Sequence, residues 1–437
     1  MKRSIDRILT THIGSLPRPK ELAQMIQARA AGSPMDTADL DRRVRAAVDA
    51  IVKRQADIGI DIVTDGEMGK PSFVTYVNER LSGFSVQPGE RPSMWGTSRE
   101  AKSFPEYYQA VADSQPIGLR RRQLRVVCTD PVDYQGQRLL NADLDNLKHA
   151  LAGVKVVEAF VPSIAPSNVE VTQPNEFYPT ERAYLYALAD AMRVEYRAIV
   201  DAGFVLQIDD PFLVTYYITR PELSIAECRK WAEQRVEALN HAIAGIPEDK
   251  IRFHTCYGIN FGPRVHDMQL KDIVDIILKV NAGAYSFEAA NPRHDHEWAD
   301  WANAKLPAGK ILIPGVITQS SVLVEHPELV AQRIVRYARV VGRENVIAGA
   351  DCGFASFAGS DEIHESIVWA KLQALVEGAR IASRELWGGA RGRKPVRGRG
   401  TGAARGRVKA RAGAAKRKST KPRPQARIEA RGKRRAK

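Results

Sequence analysis

Eight short apolar runs punctuate the chain, each rich in β-branched residues and each ending on polar or small ones: "RILTTHIGS", "IDIVTDGE", "VKVVEAFVPS", "FVLQIDDP", "IRFHTCYG", "AYSFEAAN", "KILIPGVIT" and "NVIAGADCG". Runs of this length and composition read as buried strands. Between them the apolar positions switch to helical spacing. Leu40, Val44, Val48, Ile51 and Ile58 mark one face, with Gly59 where a helix would stop; Leu185, Leu188, Met192, Tyr196 and Ile199 mark another, opened by Pro179 and Thr180 and closed by Gly203. Strands alternating with helices predict a parallel sheet, and the strand count fits a closed (β/α)8 barrel, the TIM-barrel class of α/β folds. An open doubly wound sheet is the rival, but no strand leads into a Gly-rich dinucleotide loop of the expected form.

The connection between the second and third strands breaks the pattern. Residues 72–150 are far longer than an ordinary crossover and contain "RRRQLRVVCTDPVDYQGQRLL", whose alternation predicts a hairpin. Long ordered loops generally serve function, so this stretch is expected to be an inserted subdomain capping one mouth of the barrel.

Charge adds a second division. The chain of 437 residues carries +14 in all, yet residues 388–437 hold 20 Lys/Arg against the single acid Glu429, leaving 1–387 at −5. That tail is dense in like charge, Gly, Ala and Pro, and is expected to be disordered. Its functional reading is a salt-sensitive tether to DNA, RNA or another polyanion, and its plain reading is a solvated extension. The expected organisation is therefore a catalytic barrel over 1–387 with an insertion, then a disordered basic tail. Four cysteines stand too far apart for a disulfide framework, and Cys128 and Cys228 read as small buried hydrophobes. Neither a signal-peptide stretch nor a membrane-length apolar run is visible, so a cytoplasmic protein is expected.

In a barrel the C-terminal strand ends converge on the active site. His254 and Cys256 are i and i+2 on a strand, which places both side chains on one face, about 6–7 Å apart along it. Alone, the pair reads equally as a core histidine beside a buried thiol. Cys352 ends another strand and Glu288 a third, and His, Cys, Cys and a carboxylate would form a tetrahedral set that favours zinc while leaving a position for substrate. Other strand ends carry His12 to Ser15, Asp65 and Glu67, and Asp209 and Asp210, each of which also reads as a turn or cap residue. "NPRHDHEW", with His294, His296 and Glu297, reads as a polar loop rather than a second metal site.

Over roughly residues 7–380, in order, "TTHIGSLPR", "TDGE", "QIDDP", "HTCYG", "YSFEAANPR" and "GADCG" resemble the cobalamin-independent methionine synthase family, specifically its zinc-bearing C-terminal barrel and single-barrel relatives. The resemblance implies zinc on His254, Cys256 and Cys352, with Glu288 at the position of the carboxylate that binds the ion in some members. It implies amino-acid binding at Ile13, Gly14, Ser15, Glu67 and Asp209. The carboxylates would hold the α-amino group of homocysteine, and the surroundings of Ser15 its carboxylate.

The implied reaction is S-methylation of homocysteine to methionine from a methyltetrahydrofolate-type donor, or, as in the relatives that add coenzyme M to epoxides, alkylation of another thiol. A free thiol of pKa about 8.5 is mostly protonated at neutral pH, whereas a zinc-bound thiol is deprotonated. Two departures stand out. Full-length methionine synthases have two barrels and this chain has one. The family's acid histidine should follow the seventh strand, where "GVITQSSVLVEH" offers Thr318, Gln319 and Ser320 and only the distant His326. The rival functions are a tail-driven nucleic-acid-associated protein and a zinc hydrolase, the latter disfavoured because two thiolate ligands lessen the ion's acidity toward water.

Overall fold

The computed structural model describes residues 1–90, 94–114, 124–258, 262–360 and 363–388. Apart from Gly388, the basic tail, its expected disorder and its polyanion reading lie outside the described residues. Ten strands form among them: β1 (Leu9–Thr10), β2 (Ile62–Val63), β3 (Phe84–Glu90), β4 (Leu124–Cys128), β5 (Glu158–Ile164), β6 (Val205–Asp209), β7 (Ile251–Thr255), β8 (Ala284–Phe287), β9 (Ile311–Ile317) and β10 (Ile347–Ala350). Each of the eight apolar runs supplies one strand of a parallel sheet ordered β1-β10-β9-β8-β7-β6-β5-β2. The edges β1 and β2 are drawn together: Asp61 N–H donates to Thr10 O at 3.2 Å and Thr11 Oγ1 to Ile62 O at 3.1 Å. The result is a nearly closed (β/α)8 barrel.

The helices form where the spacing predicts. Thr37–Ile58 buries Leu40, Val44, Val48 and Ile51 and ends on Gly59 at φ 96°, a left-handed turn that favours glycine. Glu181–Asp201 starts at Thr180, whose hydroxyl accepts from Ala183 N–H and satisfies an otherwise orphaned donor.

Alternation along the strands builds the interior in layers. Leu9, Ile62, Phe160, Val205, Ala284, Ile311, Ile313 and Ile347, mostly from strand starts, make an apolar plug. One step further along, Arg252 is buried over the Phe160 ring, 3.9 Å from its centroid, and donates to Thr11 Oγ1 and His12 O. A further step along β6 and β7 brings Asp209 and His254, side by side in register, to the C-terminal mouth. The wall is tight there: a Cβ on Gly315 of β9 would lie 2.0 Å from Asp351 Oδ1 and 2.6 Å from the Asp351 backbone. Gly315→Ala is expected to cost about 3 kcal/mol through overpacking, read as a lower urea midpoint.

The insertion departs from expectation in one respect. β3 and β4 form an antiparallel pair, but the predicted hairpin segment supplies only β4; its partner is Phe84–Glu90, and "QRLL" opens the helix Gln137–Leu151. Cross-strand partners so far apart in sequence leave no local turn signal. That helix packs against Thr37–Ile58 as a normal crossover helix of the barrel, so the inserted part ends before it. The insertion does reach the mouth. Arg99 donates to Tyr217 O beyond β6, Glu100 accepts from His266 N–H beyond β7, and Ser103 hydrogen-bonds the His266 ring. Among the described residues no helix is long and apolar enough to cross a membrane.

Candidate metal centre

At the mouth, His254 on β7, Cys256 just beyond it and Cys352 just beyond β10 converge. One donor atom from each lies within 4.8 Å of the others, and all three residues are buried. The two sulfurs are 3.4 Å apart, close to the ~3.8 Å that two thiolates span on a tetrahedral zinc with 2.3 Å bonds. Both cysteines are free thiols.

The donor set fits a soft cation. Both ring nitrogens of His254 are buried and neither makes a well-formed hydrogen bond, an arrangement that wastes polar capacity unless one gives its lone pair to a cation. Burial, with Arg252 beneath, pushes the His254 pKa down to about 3, so the imidazole is the neutral form that metals bind. The neighbouring Cys352 thiol and then burial push Cys256 well above the usual thiol range. Two thiols held this close favour ionisation only if a cation shares the charge.

Glu288 stands at the expected strand end but outside this group. Its Oε1 accepts from Tyr257 N–H at 2.9 Å, and its Oε2 from Arg264 at 2.8 Å and from Asn291 Nδ2 at 2.6 Å. The buried Arg264 guanidinium pairs with the carboxylate, so Glu288 stands beside the group of His254, Cys256 and Cys352 and not within it. Asp351 holds the loop that carries it, accepting from Ala289, Ala290 and Asn291 N–H.

A cleft opens over the group, lined in part by Ile13, Ser15, Glu67 and Asp209 and by His254, Cys256 and Cys352. Among the described residues its lining contains two carboxylates and no lysine or arginine. Burial raises the pKa of both Glu67 and Asp209, the latter strongly, and Glu67 Oε2 is buried with no partner. Neither forms an ion pair among the described residues, although the charges of Lys70, Arg18 and Arg252 reach them. Glu67 keeps φ at 59°, and Gly14 leaves it room, since a Cβ there would lie 2.7 Å from Glu67 Oε1. Gln207 contacts both sides of the site, donating to Asp209 Oδ1 at 2.7 Å and to Ile13 O.

Several strand-end residues take the plainer roles. Asp65 accepts from Glu67 N–H, shaping the turn, and Asp210 accepts from Leu213 N–H and Ser167 Oγ, capping a helix. His12 bridges Gln55 Oε1 and Gly14 N–H. His326 is the exposed N-cap of Pro327–Val341, accepting from Glu328 N–H, and neither it nor Thr318, Gln319 or Ser320 lines the cleft. Residues not singled out from sequence also matter. Phe73, Pro211, Gly258, Gly353 and Ser356 line the cleft, and Arg18 donates to Glu67 O and to Ala355 O. Their only signal was position: Ser356 lies four residues beyond Cys352.

"NPRHDHEW" is not a solvated loop. His294 is buried between Asp267 Oδ2 at 3.0 Å and Glu297 Oε2 at 2.9 Å and stacks on Tyr257 at 3.8 Å. Burial alone would lower its pKa, but the two carboxylates raise it to about 9. A folded value above the unfolded ~6.5 makes its stabilisation complete below about pH 6.5 and lost as pH rises through 9. His294→Gln is expected to cost about 3 kcal/mol at pH 6, with the difference from wild type shrinking toward pH 9.5 in urea unfolding.

Fold and site together define a (β/α)8 barrel enzyme with a His-Cys-Cys group suited to a soft metal at its C-terminal mouth. The chain belongs to the cobalamin-independent synthase, catalytic domain family, whose model matches residues 8–132 and 161–379. It is similar to a methionine synthase of Saccharolobus islandicus, 28% identical over 382 residues covering 86% of this chain and 95% of that one. A methionine synthase of Sulfolobus acidocaldarius is 26% identical over 387 residues, covering 88% and 95%. Among solved structures, a B12-independent methionine synthase from Shewanella sp. W3-18-1, in complex with selenomethionine, shares the fold with TM-score 0.65 at 20% identity, covering 87% of this chain and 99% of its own.

Proposed function

We propose that the protein transfers a methyl group to the thiol of homocysteine, forming methionine, at a zinc ion held by His254, Cys256 and Cys352. The observation that supports this reading is the juxtaposition of a buried N, S, S donor set with two buried carboxylates that make no ion pair among the described residues. Zinc bound there would supply a Lewis acid that favours the acceptor's thiolate over its thiol at neutral pH.

The chain's own residues do the rest. Glu67 and Asp209 bind the α-ammonium group, and that fixed anchor points the acceptor's sulfur toward the cysteines. The segment Ile13, Gly14 and Ser15 lies against the other end of the amino acid. Holding sulfur and donor carbon in line converts a bimolecular encounter into a near-unimolecular one, and burial excludes competing water. The sulfur–carbon bond forms as the carbon–donor bond breaks, with the bonding pair leaving on the donor.

The lack of a basic lining residue argues against an anionic thiol such as coenzyme M, which would bring a sulfonate to two carboxylates. The test is to incubate the zinc-loaded full chain with homocysteine and, in parallel, methyltetrahydrofolate, methylcobalamin, sulfonium compounds and epoxides. Methionine formation with at least one methyl donor is expected. Failure with all of them, or alkylation of coenzyme M in preference to homocysteine, would reject the reading.

A further inference from the structure

The acceptor's amino end meets two carboxylates, but among the described residues no guanidinium or ammonium group lines the cleft to meet its carboxylate. Hydroxyls are available instead. Ser15 and Ser356 are both buried, both line the cleft, and both flank Gly353, where a Cβ would lie 2.1 Å from Ser15 Oγ and 3.2 Å from Ser356 Oγ. A side chain at 353 would displace the Ser15 hydroxyl and crowd that of Ser356, so glycine there lets both keep their places. They stand close enough for one carboxylate to accept from both.

The segment carrying Ser356 is pinned on every side except that hydroxyl. Ala355 O accepts from Arg18, Ser356 O from Phe73 N–H at 3.2 Å, Ala358 O from Gln27 Nε2, and Ala358 N–H donates to Pro71 O at 2.8 Å. Arg18 also donates twice to Glu67 O, at 3.1 and 2.7 Å, so one guanidinium ties the residue that faces the amino group to the loop that carries Ser356. The spacing between the two ends of the acceptor site is thus preset, and the side-chain hydroxyl that this segment brings to the cleft lining is that of Ser356. Preset donors bind without an ordering cost at the moment of capture.

We propose that Ser356 is a substrate-binding residue, the second hydroxyl that with Ser15 receives the carboxylate of the amino-acid acceptor. This rests on the homocysteine reading above. A hydroxyl donating to a carboxylate is a charge-assisted bond whose loss is expected to weaken binding about ten-fold or more.

The test is calorimetric binding of the product, L-methionine, to the zinc-loaded full chain, with 3-(methylthio)propylamine, the same molecule without its carboxylate, as the control ligand. Ser356→Ala is expected to bind methionine about ten-fold more weakly while binding the amine as wild type does, with zinc content unchanged. Equal methionine affinity in Ser356→Ala and wild type, or an equal loss for the amine, would overturn the assignment and leave the homocysteine reading standing. If wild type binds neither methionine nor homocysteine, that reading fails and the carboxylate seat fails with it. Ser356→Thr, which keeps the hydroxyl, is expected to recover binding; a recovery equally large in Ser356→Val would show that shape alone matters and reject the proposal.

Discussion

Cys352→Ala is expected to lose stoichiometric zinc and to lower kcat/KM for homocysteine by more than about 100-fold, the upper range for changes that merely misorient a metal ligand. Cys256→Ala should behave alike. The physical reason is that each removes one of three donor atoms lying within 4.8 Å of one another, leaving His254 and a single thiol. Two protein donors hold zinc poorly, and without the cation the remaining thiol has nothing to favour its ionised form. Because the sulfurs lie at the ends of β7 and β10 and not in the apolar plug, the barrel itself should persist. Zinc content by elemental analysis and far-UV circular dichroism, measured on the same preparation, separate loss of metal from loss of fold. A variant that keeps one zinc per chain would contradict the ligand assignment.

Glu67→Gln and Asp209→Asn are each expected to lower kcat/KM for homocysteine by about 10- to 100-fold, since a charge-assisted bond to an ammonium group is worth about 1.5–3 kcal/mol. Zinc content should be unchanged. Stability should move the other way: burial raises the pKa of both groups and Glu67 Oε2 is buried without a partner, so neutral amides relieve a cost that the free protein carries. An equal or higher melting temperature together with weaker catalysis is the expected pair of results. The wild-type preference for homocysteine over coenzyme M should narrow in both variants, because the repulsion that excludes a sulfonate is reduced. A preference that does not change would show that the carboxylates do not read the acceptor's charge.

Why some of this was legible in sequence and some was not follows from range. The eight barrel strands were legible because each is a continuous buried run, and the shared face of His254 and Cys256 because strand side chains alternate. The three donors followed from their common place at strand ends, a property of the barrel rather than of any one motif. Long-range pairing left no such signal. The ion pair of Arg264 with Glu288 depends on a loop beyond β7, which the strand position of Glu288 does not reveal. The partner of β4 lies across a segment with no turn signature. His294 looked like part of a polar loop because its sequence neighbours are polar, while its burial depends on Asp267 and Tyr257 from another loop. Arg18 and Ser356 were invisible for the same reason, since their roles arise from backbone carbonyls and a glycine that no spacing rule singles out.

The central claim is that three side chains hold an ion whose remaining position takes another molecule's sulfur. Zinc K-edge X-ray absorption of the zinc-loaded full chain, recorded before and after homocysteine is added, tests it most directly. One nitrogen and two sulfur neighbours are expected beforehand, with one sulfur more in the presence of homocysteine. A shell of oxygen and nitrogen alone, or a sulfur count that homocysteine leaves unchanged, would contradict the account.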